Sequence, residues 1–335
     1  MNLNTGGWAS PLLRLVARLR SDGLNSTTPV TEINGGNISA TNADIALVAK
    51  GTGATLAQVP DGTIAGGNKR GTYATDLQKL RTASTQIAAA TGSVITGGIN
   101  NSALADYTFI GGGNGNTTGT GLNLTVCTGG QANSATGAVA FIGGGSINTA
   151  SANYTAIAGG QQNIVSGSHG FIGSGRRGTT RSIVGYHVFP ACSIPIADVA
   201  GVSQAGLLIL ARQTTNATAT VLTSDSSAAA ATNQVTLPNN SAYSFSGEVI
   251  AGITNGGDSA RWTIDGAIKR GSNAASTVMI GTPTVTMTHF DVGAAAWVVA
   301  VTADTTNGAI AVTVTGAAST TIRWVAKIET TEMTY

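Results

Sequence analysis

The sequence predicts an all-β protein: a parallel β-solenoid (β-roll) of about six 15-residue coils, followed by an antiparallel, jelly-roll-like β-sandwich, assembled as an intertwined homotrimer. Three observations carry this prediction: glycine pairs at a fixed spacing, the near absence of charge around them, and period-two alternation of β-branched residues towards the C-terminus.

Glycine pairs stand at Gly97-Gly98, Gly112-Gly113, Gly129-Gly130, Gly144-Gly145 and Gly159-Gly160, with a degenerate Ser174-Gly175, at steps of 15, 17, 15, 15 and 15 residues. Two positions before each pair come Ile95, Ile110, Cys127, Ile142, Ile157 and Ile172, and four after its first residue come Asn101, Asn116, Asn133, Asn148 and Asn163. A 15-residue unit is too short for two helices and their turns. It fits one solenoid coil: a brief strand with the isoleucine inward, a corner needing positive φ, and a second strand beginning near the asparagine. Asparagines at one corner of every coil can bond the backbone or one another as a ladder. The Gly119–Gly121 region carries the two-residue insertion.

Between Ser93 and Ile172 the only charged residue is Asp106, too little charge to solubilise an isolated rod. Three chains burying faces against one another resolve this, which is the basis for expecting a trimer. Only 10% of the 335 residues are charged, against roughly 25% in ordinary globular proteins. The net charge of +2 and the lack of a basic stripe argue against nucleic acid as a partner. Two cysteines, Cys127 and Cys192, are too few for a disulfide framework or a zinc cluster and are expected free and buried. No apolar run is long enough to insert into a membrane.

Along the chain, residues 1–24 read as an anchor segment. Ser10-Pro11 opens a short helix whose Leu12, Leu15, Val16 and Leu19 share one face. Residues 25–92 read as irregular strands and loops, and 93–185 as the repeat. The cluster Arg176, Arg177 and Arg181 either caps the rod or binds an acidic glycan. In 190–335, Trp297–Val301 and Ile310–Val314 alternate around Asn307-Gly308, and Tyr243–Ile253 and Arg261–Lys269 flank Asn255-Gly256. Trp262, Trp297 and Trp324 are expected in the core.

Glycan hydrolysis needs two carboxylates flanking the scissile bond, whereas the repeat holds Asp106 alone and Asp258, Asp265, Asp291 and Asp304 are scattered. His169, His187 and His289 lack metal-ligand spacing, so neither metal nor cofactor is expected. The expectation is therefore of no catalytic residue and no enzymatic activity. Arg176, Arg177, Tyr186 and Tyr243 are the candidate receptor contacts.

The segments Phe141-Ile-Gly-Gly-Gly-Ser-Ile-Asn-Thr-Ala-Ser and Ala156-Ile-Ala-Gly-Gly-Gln-Gln-Asn-Ile-Val-Ser-Gly resemble the repeats of phage tail fibres and the β-roll head of trimeric autotransporter adhesins. Ala49-Lys-Gly-Thr-Gly-Ala, Ala65-Gly-Gly-Asn-Lys-Arg-Gly, Thr236-Leu-Pro-Asn-Asn-Ser-Ala-Tyr, Ile322-Arg-Trp-Val-Ala and Glu329-Thr-Thr-Glu are also similar to stretches of phage fibres. The lack of a signal-peptide core, coiled-coil stalk and anchor strands favours the phage branch. The resemblance implies a homotrimeric virion fibre assembled in a host cytoplasm. Its N-terminal part would hold a tail, neck or baseplate protein, and its distal domain would meet a host surface glycan or protein. A polysaccharide-degrading tailspike, or a neck or head fibre without receptor role, is the alternative.

Overall fold

The computed structural model describes residues 19–22, 30–33, 49–122, 124–190 and 192–335. The chain forms two compact units, Met1–Lys50 and Gly51–Tyr335. In the first, Leu19–Asp22 pairs antiparallel with Val30–Ile33. Leu12, Leu15 and Val16 lie outside the described residues. Leu19, expected on the same helix, instead opens this strand opposite Ile33. Val30, Thr31 and Ile33 make a β-branched partner that suits an extended pairing.

In the second unit the chain winds as a parallel β-solenoid from Thr55 to Phe189. One face stacks nine parallel strands: Thr55–Leu56, Thr75–Asp76, Val94–Ile95, Phe109–Ile110, Val126–Cys127, Phe141–Ile142, Ala156–Ile157, Phe171–Ile172 and His187–Phe189. A second face stacks Ser102–Asp106, Thr117–Leu122, Ser134–Ala135, Thr149–Ala150 and Ile164–Val165. The third is held by single bridges linking Ile99, Asn114, Gln131, Ser146, Gln161 and Arg176 in turn. The extra residues near Gly119–Gly121 lengthen a strand of the second face, where Ser102–Asp106 and Thr117–Leu122 pair across a register shift.

Each face sends one side chain inward per coil. The first contributes Ile95, Ile110, Cys127, Ile142, Ile157 and Ile172, and the second Ala103, Ala135, Ala150 and Val165, all fully buried. The corner between second and third faces contributes Asn101, Asn116, Asn133, Asn148 and Asn163, equally buried. Buried amides need partners, and each finds them in the coils on either side. The Asn148 side chain donates to Gly144 O (3.0 Å), to Gly160 O one coil on (2.9 Å) and to Asn133 Oδ1 one coil back (3.1 Å). Its own Oδ1 accepts from Asn163 N at 3.0 Å. The ladder starts at Gln78, whose Oε1 accepts from Asn101 N (3.0 Å), and ends at Gly178 N, which donates to Asn163 Oδ1 (2.9 Å). Gly145 shows why the corner is glycine: its φ is +84°, and a Cβ there would collide with the Gly160 carbonyl oxygen.

The stack begins before the glycine register, within residues expected to be irregular. Its first coils are longer, 20 residues from Thr55 to Thr75 and 19 from Thr75 to Val94. Asp76 occupies the inward position equivalent to Ile95. It is buried between Arg70, whose Nε lies 2.7 Å away, and Arg81 at 4.0 Å. An ion triad thus takes the place of apolar contact at this end of the rod, and such a triad tolerates burial only because its charges are paired.

The first face does not end with the solenoid. His187–Phe189 pairs antiparallel with Ser203–Thr214, and the same sheet continues through Ile322–Thr334, Ser241–Ile253, Ser259–Arg270 and Thr284–Phe290. The expected boundary near residue 190 is therefore a change of strand direction within one sheet. A smaller antiparallel sheet contains Val298–Asp304, Ala309–Thr315, Thr220–Val221 and Val235–Thr236. The hairpins around Asn255-Gly256 and Asn307-Gly308 form as the sequence predicts. Trp262 and Trp297 each lie 5.7 Å, centroid to centroid, from Trp324, and all three are buried. The Trp324 indole donates to Thr214 Oγ1 at 2.9 Å. Among the described residues no helix is long and apolar enough to cross a membrane.

Candidate functional site

Two of the four candidate receptor contacts are not at the surface. Tyr186 and Tyr243 are each about 1% exposed. They surround Glu332, itself buried, at the join between the last coil and the long sheet. The Tyr186 hydroxyl and Arg181 Nη1 both donate to this carboxylate, and Gln204 Nε2 donates to it at 2.7 Å. The Arg181 guanidinium carbon sits 5.6 Å from the Tyr243 ring centroid. Burial, and then the Glu332 charge, push both phenols well above their ordinary pKa. These groups hold the last coil to the long sheet. Arg176 and Arg177 are half-buried at the same end, and both reach the exposed Asp198, Arg177 at ion-pair contact and Arg176 at 3.7 Å.

The repeat residues leave no room for chemistry, since the isoleucines and asparagines are enclosed within the coils. The Cys127 thiol, buried among them, is pushed up to about 11. Cys192, expected to be buried, is exposed, because it follows Pro190 where the chain leaves the last coil. Among the described residues no cluster of His, Cys, Asp and Glu could hold a metal ion.

A concave surface lies on the long sheet. There a cleft of about 540 Å³ is lined by Ile250, Ser259, Ala260, Arg261, Thr288, His289, Phe290 and Asp291. It arises from a break in strand pairing: Arg261 pairs with His289 but Trp262 with Met287, which leaves Thr288 as a bulge. A bulge bends its strand and re-aims the side chains beside it. Here it sets Thr288 Oγ1 3.1 Å from Arg261 Nη1, while Arg261 Nη2 donates to Glu248 Oε1 at 2.7 Å. That bond holds the Glu248 carboxyl below its ordinary value. Asp291 Oδ2 accepts from Ser259 N at 2.9 Å, which fixes the loop after Phe290. Phe290 and Ile250 remain 53% and 52% exposed, so the floor is apolar and the rim carries a guanidinium, an imidazole and a carboxylate. An apolar platform beside a few fixed polar groups suits a saccharide, whose ring has a C–H face and hydroxyl edges.

Sequence reasoning did not single out this cleft. His289 and Asp291 read as isolated residues, and a bulge leaves no mark in the alternation of Thr284–Phe290.

No family model matches the sequence, and no curated protein matches it. Its structure is similar to that of tailspike gp49 from Acinetobacter baumannii bacteriophage Fri1, a capsular polysaccharide depolymerase, with 10% identity and a TM-score of 0.23 over 83% of this chain and 56% of that one. The tailspike of Acinetobacter baumannii phage AM24 gives 9% identity and a TM-score of 0.20 over 78% and 57%. The chain thus spans little more than half the length of either tailspike. This comparison corrects the expectation of a protein without enzymatic activity, because the Fri1 tailspike is a depolymerase. Likeness at this level assigns no activity to the present chain.

Proposed function

We propose that the chain is a homotrimeric tail appendage of a bacteriophage, a fibre or tailspike. In this reading the N-terminal residues hold another virion protein, the solenoid is the shaft, and the C-terminal sheets pack as a sandwich-like tip that binds a host surface saccharide. The observation that carries it is the continuity of one sheet from an almost uncharged solenoid into a domain bearing the cleft of Arg261, His289, Phe290 and Asp291. The fibre-like repeats of the sequence support the placement on a virion. Labelling of intact phage particles with antibody against residues 190–335 tests it. Label at the distal end of a tail appendage is expected, and label on the head alone contradicts it.

A second reading, depolymerisation at the same cleft, is favoured by the carboxylate of Asp291 in its lining and by that of Glu248, which is outside the lining but bonded to the lining residue Arg261. Paired acids are what glycoside hydrolysis requires. Release of oligosaccharides from host surface polysaccharide by the purified chain, abolished by Asp291→Asn, would establish it; intact polysaccharide would exclude it.

A further inference from the structure

Strands of the long sheet turn one side chain to the core and the next to solvent. On Ser241–Ile253 the core takes Tyr243, Phe245 and Val249, while Ser244, Ser246, Glu248 and Ile250 point outward. Ile250 lines the cleft described above, and Ser244 and Ser246 line a second groove, of about 350 Å³, on the same outward face. This groove lies where the last coil meets the antiparallel strands. Phe189 pairs with Ala205, Ala205 with Thr331, and Thr331 with Ser244. The short side chains of Ala205, Ser244 and Ser246 leave the depression, and Phe189, 48% exposed, stands beside them. Its polar groups are the exposed hydroxyls of Ser244, Ser246 and Thr331 and the Glu329 carboxylate, whose charge is met by the Lys327 ammonium at 3.2 Å. An exposed phenylalanine face beside fixed polar groups repeats the chemistry of the first cleft, with hydroxyls in place of its guanidinium and imidazole.

The strip between the two recesses is polar throughout. Arg261, in the first cleft, donates to Glu248. Glu248 stands opposite Lys327 in the strand register, and Lys327 pairs with Glu329 of the second groove. Charges of alternating sign thus run from one recess to the other and cancel, leaving a line of hydrogen-bonding groups without net charge. Ile250 and Ser246 are separated by roughly 13 Å of extended strand. A single sugar ring does not cover that distance, whereas a short chain of sugars does.

We infer that the cleft and the groove are one extended site, which binds an oligosaccharide chain across the outward face of the sheet with an uncharged sugar unit in the second groove. The inference rests on the saccharide reading of the first cleft and extends it from a single ring to a polymer. The unit at Phe189 is uncharged because the one charged group of that groove, Glu329, is already neutralised by Lys327, which leaves hydroxyls to make the contacts. A protein partner fits this face less well, since the centre of a protein interface is depleted in charge and here the centre carries Glu248 and Lys327. A chain long enough to reach both recesses makes its second contact within a complex already formed, so affinity rises with length.

Binding of the full chain to disaccharides and hexasaccharides, cut by partial acid hydrolysis from a bacterial surface polysaccharide that it binds, tests the extension. Wild type is expected to hold the hexasaccharide about tenfold more tightly than the disaccharide, or better. Phe189→Ala removes the phenylalanine face, and Ser246→Arg fills the groove from the opposite wall. Both positions are exposed, and each variant is expected to lose most of the gain from length while its melting temperature holds. Equal affinity for the two lengths, or a gain that survives both substitutions, overturns the extended site; if Phe290→Ala still weakens binding, the first cleft stands as a saccharide site alone. Binding to no polysaccharide, or binding that Phe290→Ala also leaves unchanged, overturns both.

Discussion

The amide oxygen of Asn133 accepts both the main-chain N–H of Asn148, at 3.0 Å, and its side-chain amide, at 3.1 Å. One side chain thus ties two coils at backbone and side-chain level, and the relation repeats along the rod. Replacing Asn148 by Ala leaves Gly144 O and Asn163 N without a partner at the corner, while Gly160 O keeps the N–H of Ser146 at 3.0 Å. With about 1–3 kcal/mol lost for each buried group left unpaired, a destabilisation of at least about 2 kcal/mol is expected in denaturant unfolding. Asn148→Asp keeps the shape but sets carboxylate oxygens against the glycine carbonyls, and is expected to destabilise more.

Gly145→Ala addresses the other half of the corner. With φ at +84° and its new methyl group directed into the Gly160 carbonyl oxygen, the coil cannot keep its stacking distance. A loss of about 4 kcal/mol, among the largest single-site effects, is expected, together with increased proteolysis near residue 145.

Tyr186 and Tyr243 separate two kinds of buried hydroxyl. Tyr186→Phe removes a donor from buried Glu332 and is expected to cost about 2 kcal/mol. The Tyr243 hydroxyl makes no hydrogen bond, so Tyr243→Phe is expected to stay within about 1 kcal/mol of wild type. Burial, followed by the Glu332 charge, raises both phenols above their ordinary value of 10.0. A raised folded pKa means that their contribution is complete below pH 10.0 and is lost as pH rises beyond it. Thermal melts from pH 8 to 12 are expected to show the join failing only at the alkaline end.

Asp304 gives the opposite sign at the acid end. Burial is the largest single influence and raises its carboxyl, but the N–H groups of Asn307 and Thr306 and the Asn307 side chain together outweigh it and hold the carboxyl below 3.8. Its stabilising effect is present above pH 3.8 and disappears as pH falls further. Asp304→Ala is expected to cost about 1 kcal/mol at neutral pH and almost nothing at pH 2, measured by denaturant unfolding.

Local rules made part of this molecule legible and contacts distant in sequence hid the rest. Ile142, Gly145 and Asn148 show their roles in the sequence because every coil repeats the same buried contact, corner and hydrogen bond. Asp76 does not, because its coil is longer and an ion triad fills the place of an isoleucine. Tyr186 read as a surface aromatic because its partner Glu332 lies 146 residues away. The cleft was invisible for a related reason: the bulge at Thr288 exists only through the pairing of Thr284–Phe290 with Ser259–Arg270.

Saccharide recognition at that cleft is tested most directly by binding of the purified chain to an array of bacterial surface glycans, beside Phe290→Ala and Arg261→Ala. Binding by wild type, lost by at least tenfold in both variants while their melting temperatures hold, is the expected result. Binding to no glycan, or binding that both substitutions leave unchanged, would contradict it.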